Sequence, residues 1–266
     1  MSQAITAPPG RTGLLEFHGS GAAAFLQAQL ASDVDALTPG RWQWSAWLDA
    51  QGRVRAVLQL ARMEADRFLA LPRGGDAAVL AQSLARYVLR APLRIEVRET
   101  VLRAAPALPL HTCTREDDAL YFGMGGHAWL ALPSAAATAA ADDRRTAEAW
   151  RAEIDAGWAW LPATALDALL PPALGLEHLR AVVFDKGCYP GQEIAARLHY
   201  RGGHKRHLVT LAGAPAAIRA LLDAHAGSVL PLCLQQGEPS YLLGVLNRAG
   251  PVPDTLGPLL RTQHAD

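Results

Sequence analysis

The chain reads as an α+β protein on three observations. Its first hundred residues follow the order β-α-β-β-β-α-β, a second mixed set of strands and helix begins near Val101, and beyond His207 only short apolar runs split by glycine and proline remain. The division expected from these shifts is 1–100, 101–204 and 205–266. The first unit has the split β-α-β order of a ferredoxin-like sheet with one added strand, which by itself says little about function.

Leu14 to His18 reads as a strand, and Gly19-Ser20-Gly21 opens a helix with Ala22, Leu26 and Leu30 on one face. After the turn Thr38-Pro39-Gly40, Trp42, Trp44, Ala46 and Leu48 alternate with Gln43, Ser45 and Trp47, the period of a half-buried strand. Gly52 marks a hairpin turn. The return strand carries Val54, Ala56, Leu58 and Leu60 on one face and Arg53, Arg55 and Gln59 on the other, and a third strand runs from Arg67 to Leu71. Asp76 suits the N-cap of a helix whose buried stripe is Leu80, Leu84, Tyr87 and Val88, and past Pro92 a strand passes through Leu93, Ile95 and Val97.

In the second unit, strands are expected at Leu120 to Met124 and Ala128 to Leu132, then the alanine-rich 134–141. A helix from about Arg144 to Ala156 places Trp150 and Ile154 at i and i+4 and stops at Gly157. Leu161-Pro162 and Pro171-Pro172 bracket a loop-rich passage. The end unit offers Leu208 to Leu211, Val229 to Leu234 and Tyr241 to Leu246, a small β-rich domain.

Length and charge restrict the function classes. The 266 residues supply enough core to fold without metal or disulfide staples, and 25 basic against 25 acidic residues give no global field to recruit nucleic acid or an anionic membrane. Three cysteines, 113, 188 and 233, contain no CxxC pair, which fits a reducing compartment. Residues 1–10 lack a signal-peptide pattern and no apolar run approaches the roughly 20 residues that span a bilayer. A cytoplasmic protein is expected.

Reactive chemistry concentrates in Asp185-Lys186-Gly187-Cys188-Tyr189-Pro190-Gly191-Gln192-Glu193. Lys186 and a helix starting near Pro190 would favour a Cys188 thiolate, making it a nucleophile or soft-metal ligand; equally, Cys188 reads as a small buried residue in a glycine turn. Cys113 and Cys233 read as packing residues. Gln192 and Glu193 fall in the first helical turn, where a carboxylate complements the helix dipole or accepts N–H groups of a heterocycle. The tract Arg197 to His207, with Arg197, Arg201, Lys205 and Arg206, reads as a short loop or strand suited to phosphate or polycarboxylate, or as a solvated basic face. Its histidines match no closed zinc spacing, so no metal is expected, and no nucleic-acid-binding module surrounds it. Trp42, Trp44 and Trp47, with Trp150, Trp158 and Trp160, could sandwich a pterin but more commonly such residues fill core.

Lys186-Gly187-Cys188-Tyr189-Pro190-Gly191-Gln192-Glu193 resembles the signature of the YgfZ family, folate-binding proteins related to the aminomethyltransferase T-protein of glycine cleavage. Gly19 to Asp35, Asp49 to Gly52, Trp150 to Gly157 and Arg201 to Arg206 are similar to further stretches of that family. The resemblance implies a three-lobed ring, two ferredoxin-like lobes plus a small C-terminal β-barrel, with tetrahydrofolate or a derivative in the central opening. It implies an accessory role in assembling or repairing iron-sulfur enzymes, including tRNA-modifying ones, with those enzymes or cluster carriers as partners. Cys188 is then the functional thiol with Lys186 beside it, and Trp150, Glu193, Tyr189 and Gln192 are expected around the folate. The basic tract becomes a wall beside the thiol that receives a folate glutamate tail or an acidic partner, and direct nucleic-acid binding is not expected. A second family tryptophan would fall near Thr12, where this chain has none. The Asp-Asp pair of the T-protein is replaced by Arg53-Val54-Arg55-Ala56, which removes its catalytic carboxylate and argues against the alternative of one-carbon transfer. A tRNA-binding module built on the basic tract is the remaining alternative.

Overall fold

The computed structural model describes residues 4–8, 10–137, 142–247 and 257–264. In chain order it contains β1 (Arg11–His18), α1 (Ala22–Gln29), β2 (Arg41–Leu48), β3 (Val54–Glu64), β4 (Arg67–Pro72), α2 (Ala77–Ala85), β5 (Arg94–Ala105), β6 (Cys113–Glu116), β7 (Ala119–Gly123), β8 (Ala128–Pro133), α3 (Asp143–Ala156), α4 (Gln192–Arg201), β9 (Arg206–Gly213), α5 (Pro215–Ala224), β10 (Val229–Gln235), β11 (Ser240–Asn247) and β12 (Leu260–Gln263). Eight strands form one antiparallel sheet in the order β2-β3-β4-β1-β5-β8-β7-β6, and four form a second, β10-β11-β9-β12.

The large sheet curls until its edge strands meet. Trp42 N–H donates to His111 O at 2.9 Å and Cys113 N–H to Gly40 O at 2.8 Å, so β2 and β6 satisfy each other's open edges. The Trp42 indole N–H adds a bond to Gly123 O at 2.9 Å. The concave side holds Trp42, Trp44, Leu69, Leu71, Phe122 and Trp129, with Trp150 and Ile154 of α3. The opposite side of β1, β3 and β4 packs Phe17, Leu58, Leu60, Phe68 and Ala70 against Phe25 and Leu26 of α1 and Leu80 and Leu84 of α2.

Burial on both faces corrects the half-buried reading of the second strand: Ser45 and Trp47 are as buried as Trp42 and Trp44. It also places Val54 differently. Trp47 pairs with Ala56 but Leu48 with Val54, so a bulge at Arg55 turns Val54 to the concave face while Ala56, Leu58 and Leu60 stay on the helix-covered face. Gln59, expected on a polar face, is fully buried.

Asp76 caps α2 through Ala78 and Val79 N–H, but the helix ends at Ala85, so Tyr87 lies beyond it and is exposed rather than part of the stripe. The expected boundary at residue 100 falls inside β5, one strand that pairs with β1 over Arg94–Val101 and with β8 over Thr100–Ala105. α3 ends as read, on Gly157 with φ 73°. Part of the alanine-rich stretch, 138–141, lies outside the described residues. The end unit carries a helix the sequence reading missed, α5, with Pro215 in its first turn and Ile218 and Leu221 buried against the four-stranded sheet.

Candidate functional site

Two distant segments and a third just ahead of the motif converge on the loop that carries Cys188. The first is the C-terminal end of α1. The Lys186 ammonium donates to Gln27 O at 2.6 Å, Leu30 O at 2.8 Å and Ser32 O at 2.7 Å, three donors against three carbonyls at the end of the helix and just past it. The positive charge also complements the negative end of the helix dipole. Burial draws the Lys186 pKa down to about 8, opposed by the nearby Asp33 and Asp35 carboxylates.

The second segment is the hairpin turn between β2 and β3. Gly191 has φ 76°, and a Cβ there would collide with Asp49 O and stand 2.8 Å from Gly52 Cα. Only glycine lets the motif lie flat on the turn. Ile194, one turn into α4, closes over Gly52 from the helix side. The third segment lies beneath: Val183 N–H donates to Ala31 O, Ala46 N–H to Ala181 O, and the Tyr189 hydroxyl to Val183 O at 2.9 Å. Tyr189 is buried, which raises the pKa of its hydroxyl.

On this platform Cys188 is exposed while Cys113 and Cys233 are buried. Burial pushes both interior thiols up to about 12, so at neutral pH they stay protonated and inert. The helix expected at Pro190 begins at Gln192, four residues past Cys188, with Gly191 as its N-cap. Gln192 is partly exposed and Glu193 exposed in the first turn.

The basic tract is neither a loop nor a single strand. Arg197 and Arg201 are exposed on α4, Lys205 is exposed in the connection, and Arg206 opens β9 and donates to Ala168 O at 3.0 Å. Arg206 also lines a cavity of about 580 Å³ between α5 and β10, away from the α4 cations. His199 bonds Glu177 at 2.6 Å and stacks on Phe184, 4.6 Å between centroids.

A larger cavity, about 1040 Å³, lies elsewhere. It is an open cleft at the N-terminus of α2, reached by Arg11, Thr12, Glu99, Thr100, Trp160 and Pro162 among others. None of Cys188, Lys186, Tyr189, Gln192, Glu193 or Trp150 lines it. Trp150 sits in the concave core, 2% exposed. The size of the cleft is ample for a folate, since ligand pockets run to roughly 300–1,000 Å³. Its polar groups suit one too, with Glu99 able to accept pteridine N–H groups and Arg11 able to pair a glutamate carboxylate.

Sequence reasoning missed a buried ion-pair hub beside this cleft. Glu153 on α3 accepts from Arg73 Nη1 at 3.2 Å and Nη2 at 2.7 Å, Trp129 Nε1 at 2.6 Å and Trp160 Nε1 at 2.8 Å. Arg73 is stacked 3.9 Å from the Trp160 ring centroid and bonds Trp158 O. Burial would raise the Glu153 pKa, but the Arg73 charge, the neighbouring His127 and the Arg73 hydrogen bonds hold it down to about 2. The signal was present: Glu153 falls on the same helical face as Ala149 and Trp150, where a carboxylate is out of place unless paired. Trp42, Trp44, Trp47 and Trp160 fill core likewise. Among the described residues no group of three or more His, Cys, Asp or Glu is placed to hold a metal ion, and no helix is long and apolar enough to cross a membrane.

The curled sheet with a second small sheet is the fold of the glycine-cleavage aminomethyltransferases. The T-protein of Bartonella henselae superposes with a TM-score of 0.68 over 92% of this chain and 79% of that one, at 17% identity. No family model matches the sequence. Among individual relatives, the tRNA-modifying protein YgfZ of Edwardsiella ictaluri is 30% identical over 222 residues, 73% of this chain and 67% of the relative. Its namesakes from Vibrio vulnificus (strain CMCP6) and Sodalis glossinidius are 29% and 26% identical, covering 69% and 82% of their own lengths. The chain belongs to the YgfZ family.

Proposed function

We propose that this protein is a cytoplasmic folate-binding accessory factor for tRNA modification, acting on iron-sulfur enzymes through the Cys188 thiol. One observation carries the reading: of three free cysteines only Cys188 is exposed, on a loop held rigid by α1, the hairpin turn and α4. A thiol so presented can attack, exchange with or transiently ligate a partner's group without rearrangement of the fold. The tRNA-modifying name carried by its relatives supports the cellular context.

We assign the folate to the cleft at the N-terminus of α2, with Glu99 and Arg11 as its polar contacts, rather than to Trp150, Tyr189, Gln192 and Glu193. Bound there, tetrahydrofolate would supply a one-carbon carrier. The chain's own residues Glu99 and Arg11 fix its orientation there.

The test is complementation of a strain lacking the protein, reading the activity of a tRNA-modifying iron-sulfur enzyme. Wild type and the surface variant Arg219→Ala restore it, and Cys188→Ala does not. Full restoration by Cys188→Ala would end the thiol reading.

A further inference from the structure

We propose that Lys186 is a positioning residue for Cys188: its ammonium is a three-point clamp that fastens the thiol loop to the C-terminal end of α1, and it works by geometry rather than by lending charge to the thiol. This rests on the reading of Cys188 as the working group and specifies how the same site is built.

Three facts carry it. The donor count equals the acceptor count, so Lys186 has no N–H left for the thiol or a ligand. The acceptors are backbone carbonyls from α1 and the residues just past it, about 155 positions earlier in the chain, which makes the contact a long-range tether and not a turn within the motif. Finally, Ala31 O receives Val183 N–H, so the same end of α1 is held from two points and the loop from Val183 to Lys186 spans them. With Tyr189 anchored to Val183 O and Gly191 laid on Asp49, Cys188 is fixed on both sides.

The geometry distinguishes itself from electrostatic activation by one substitution. Lys186→Arg keeps the charge, but a planar guanidinium cannot direct N–H groups at three carbonyls arranged around a compact ammonium. Clamping therefore predicts that Lys186→Arg and Lys186→Met behave alike, whereas activation by charge predicts that Lys186→Arg behaves like wild type.

Two measurements on purified protein decide the matter. Amide hydrogen exchange, resolved by peptide, should accelerate about tenfold or more in both variants, and together in 185–190 and 27–33, because loss of charge-assisted bonds to several carbonyls frees both ends of the tether. The rate of Cys188 alkylation by iodoacetamide should change several-fold, in the same direction and to a similar extent in both variants. Lys186→Gln serves as a third variant should one of these fail to fold. Unchanged exchange in both segments in Lys186→Met, unchanged alkylation in both variants, or wild-type behaviour of Lys186→Arg beside a disturbed Lys186→Met would overturn the proposal. These readouts are independent of the cellular role, so a dispensable Cys188 in the complementation assay would sink the functional reading and leave the clamp standing.

Discussion

At the scale of single residues, the molecule separates chemistry from architecture by burial. Cys113 and Cys233 are silenced by desolvation, and the buried, ion-paired carboxylate of Glu153 is one the reading of the sequence passed over. Its carboxyl titrates near 4.5 when unfolded and is held to about 2 in the fold, so the unfolded chain binds the extra proton between these values. The stabilisation is present above pH 4.5 and is lost as pH falls from about 4.5 towards 2. Glu153→Gln leaves the Arg73 guanidinium buried without its counter-charge, and we expect a loss of about 3–5 kcal/mol in chemical denaturation, together with disappearance of the acid limb of the stability profile. A profile in the variant that falls as steeply as that of wild type would assign acid lability to other groups.

At the scale of elements, the site is a junction. Gly191 must take φ 76° and admit the hairpin turn at contact distance, so Gly191→Ala is expected to displace α4 or the turn, destabilising the protein by roughly 1–3 kcal/mol. The measurement is urea denaturation with tryptophan fluorescence, and a variant within 0.5 kcal/mol of wild type, roughly the range of neutral surface changes, would mean that the contact is slack. This junction also marks the limit of what the sequence displayed. The glycines, the cysteine and the lysine of the motif were legible as a glycine turn leading into a helix, because their spacing is local; whether the cysteine was exposed or packed was not. Which carbonyls Lys186 would meet was not legible, since α1 lies far away in sequence and a clamp leaves no periodicity. The basic tract misled for a related reason: Arg197 to Arg201 carry an amphipathic pattern too short to separate helix from loop, and the packing of Ile194 and Ala195 decides it. The missed α5 shows the same limit, a ten-residue helix hidden among short apolar runs.

At the scale of the whole molecule, the strand alternation of the first half was readable and the curl was not. Trp42 and Trp44 point inward and Trp47 outward as read, yet both sides are covered, because α1 and α2 roof one face and the sheet closes its other face around α3. Closure through Trp42, His111 and Cys113 joins strands about 70 residues apart, and no local pattern encodes it. The cleft beside α2 likewise exists only once β1, β5, α2 and the segment at Trp160 are assembled. If it holds folate, Arg11→Ala and Glu99→Gln each weaken tetrahydrofolate binding about tenfold or more in calorimetry, the scale of a lost charge-assisted hydrogen bond, while Glu193→Gln on α4 leaves it unchanged. Equal affinity in all three variants would move the ligand elsewhere.

If the working chemistry of this protein belongs to the Cys188 thiol, as proposed, a count of reactive cysteines in the native protein tests it most closely. Labelled with a thiol-specific disulfide reagent at neutral pH, one equivalent should react fast, mapped by mass spectrometry to Cys188, and the other two only after unfolding. Fast labelling of Cys113 or Cys233, or protection of Cys188 in the native state, would overturn that assignment.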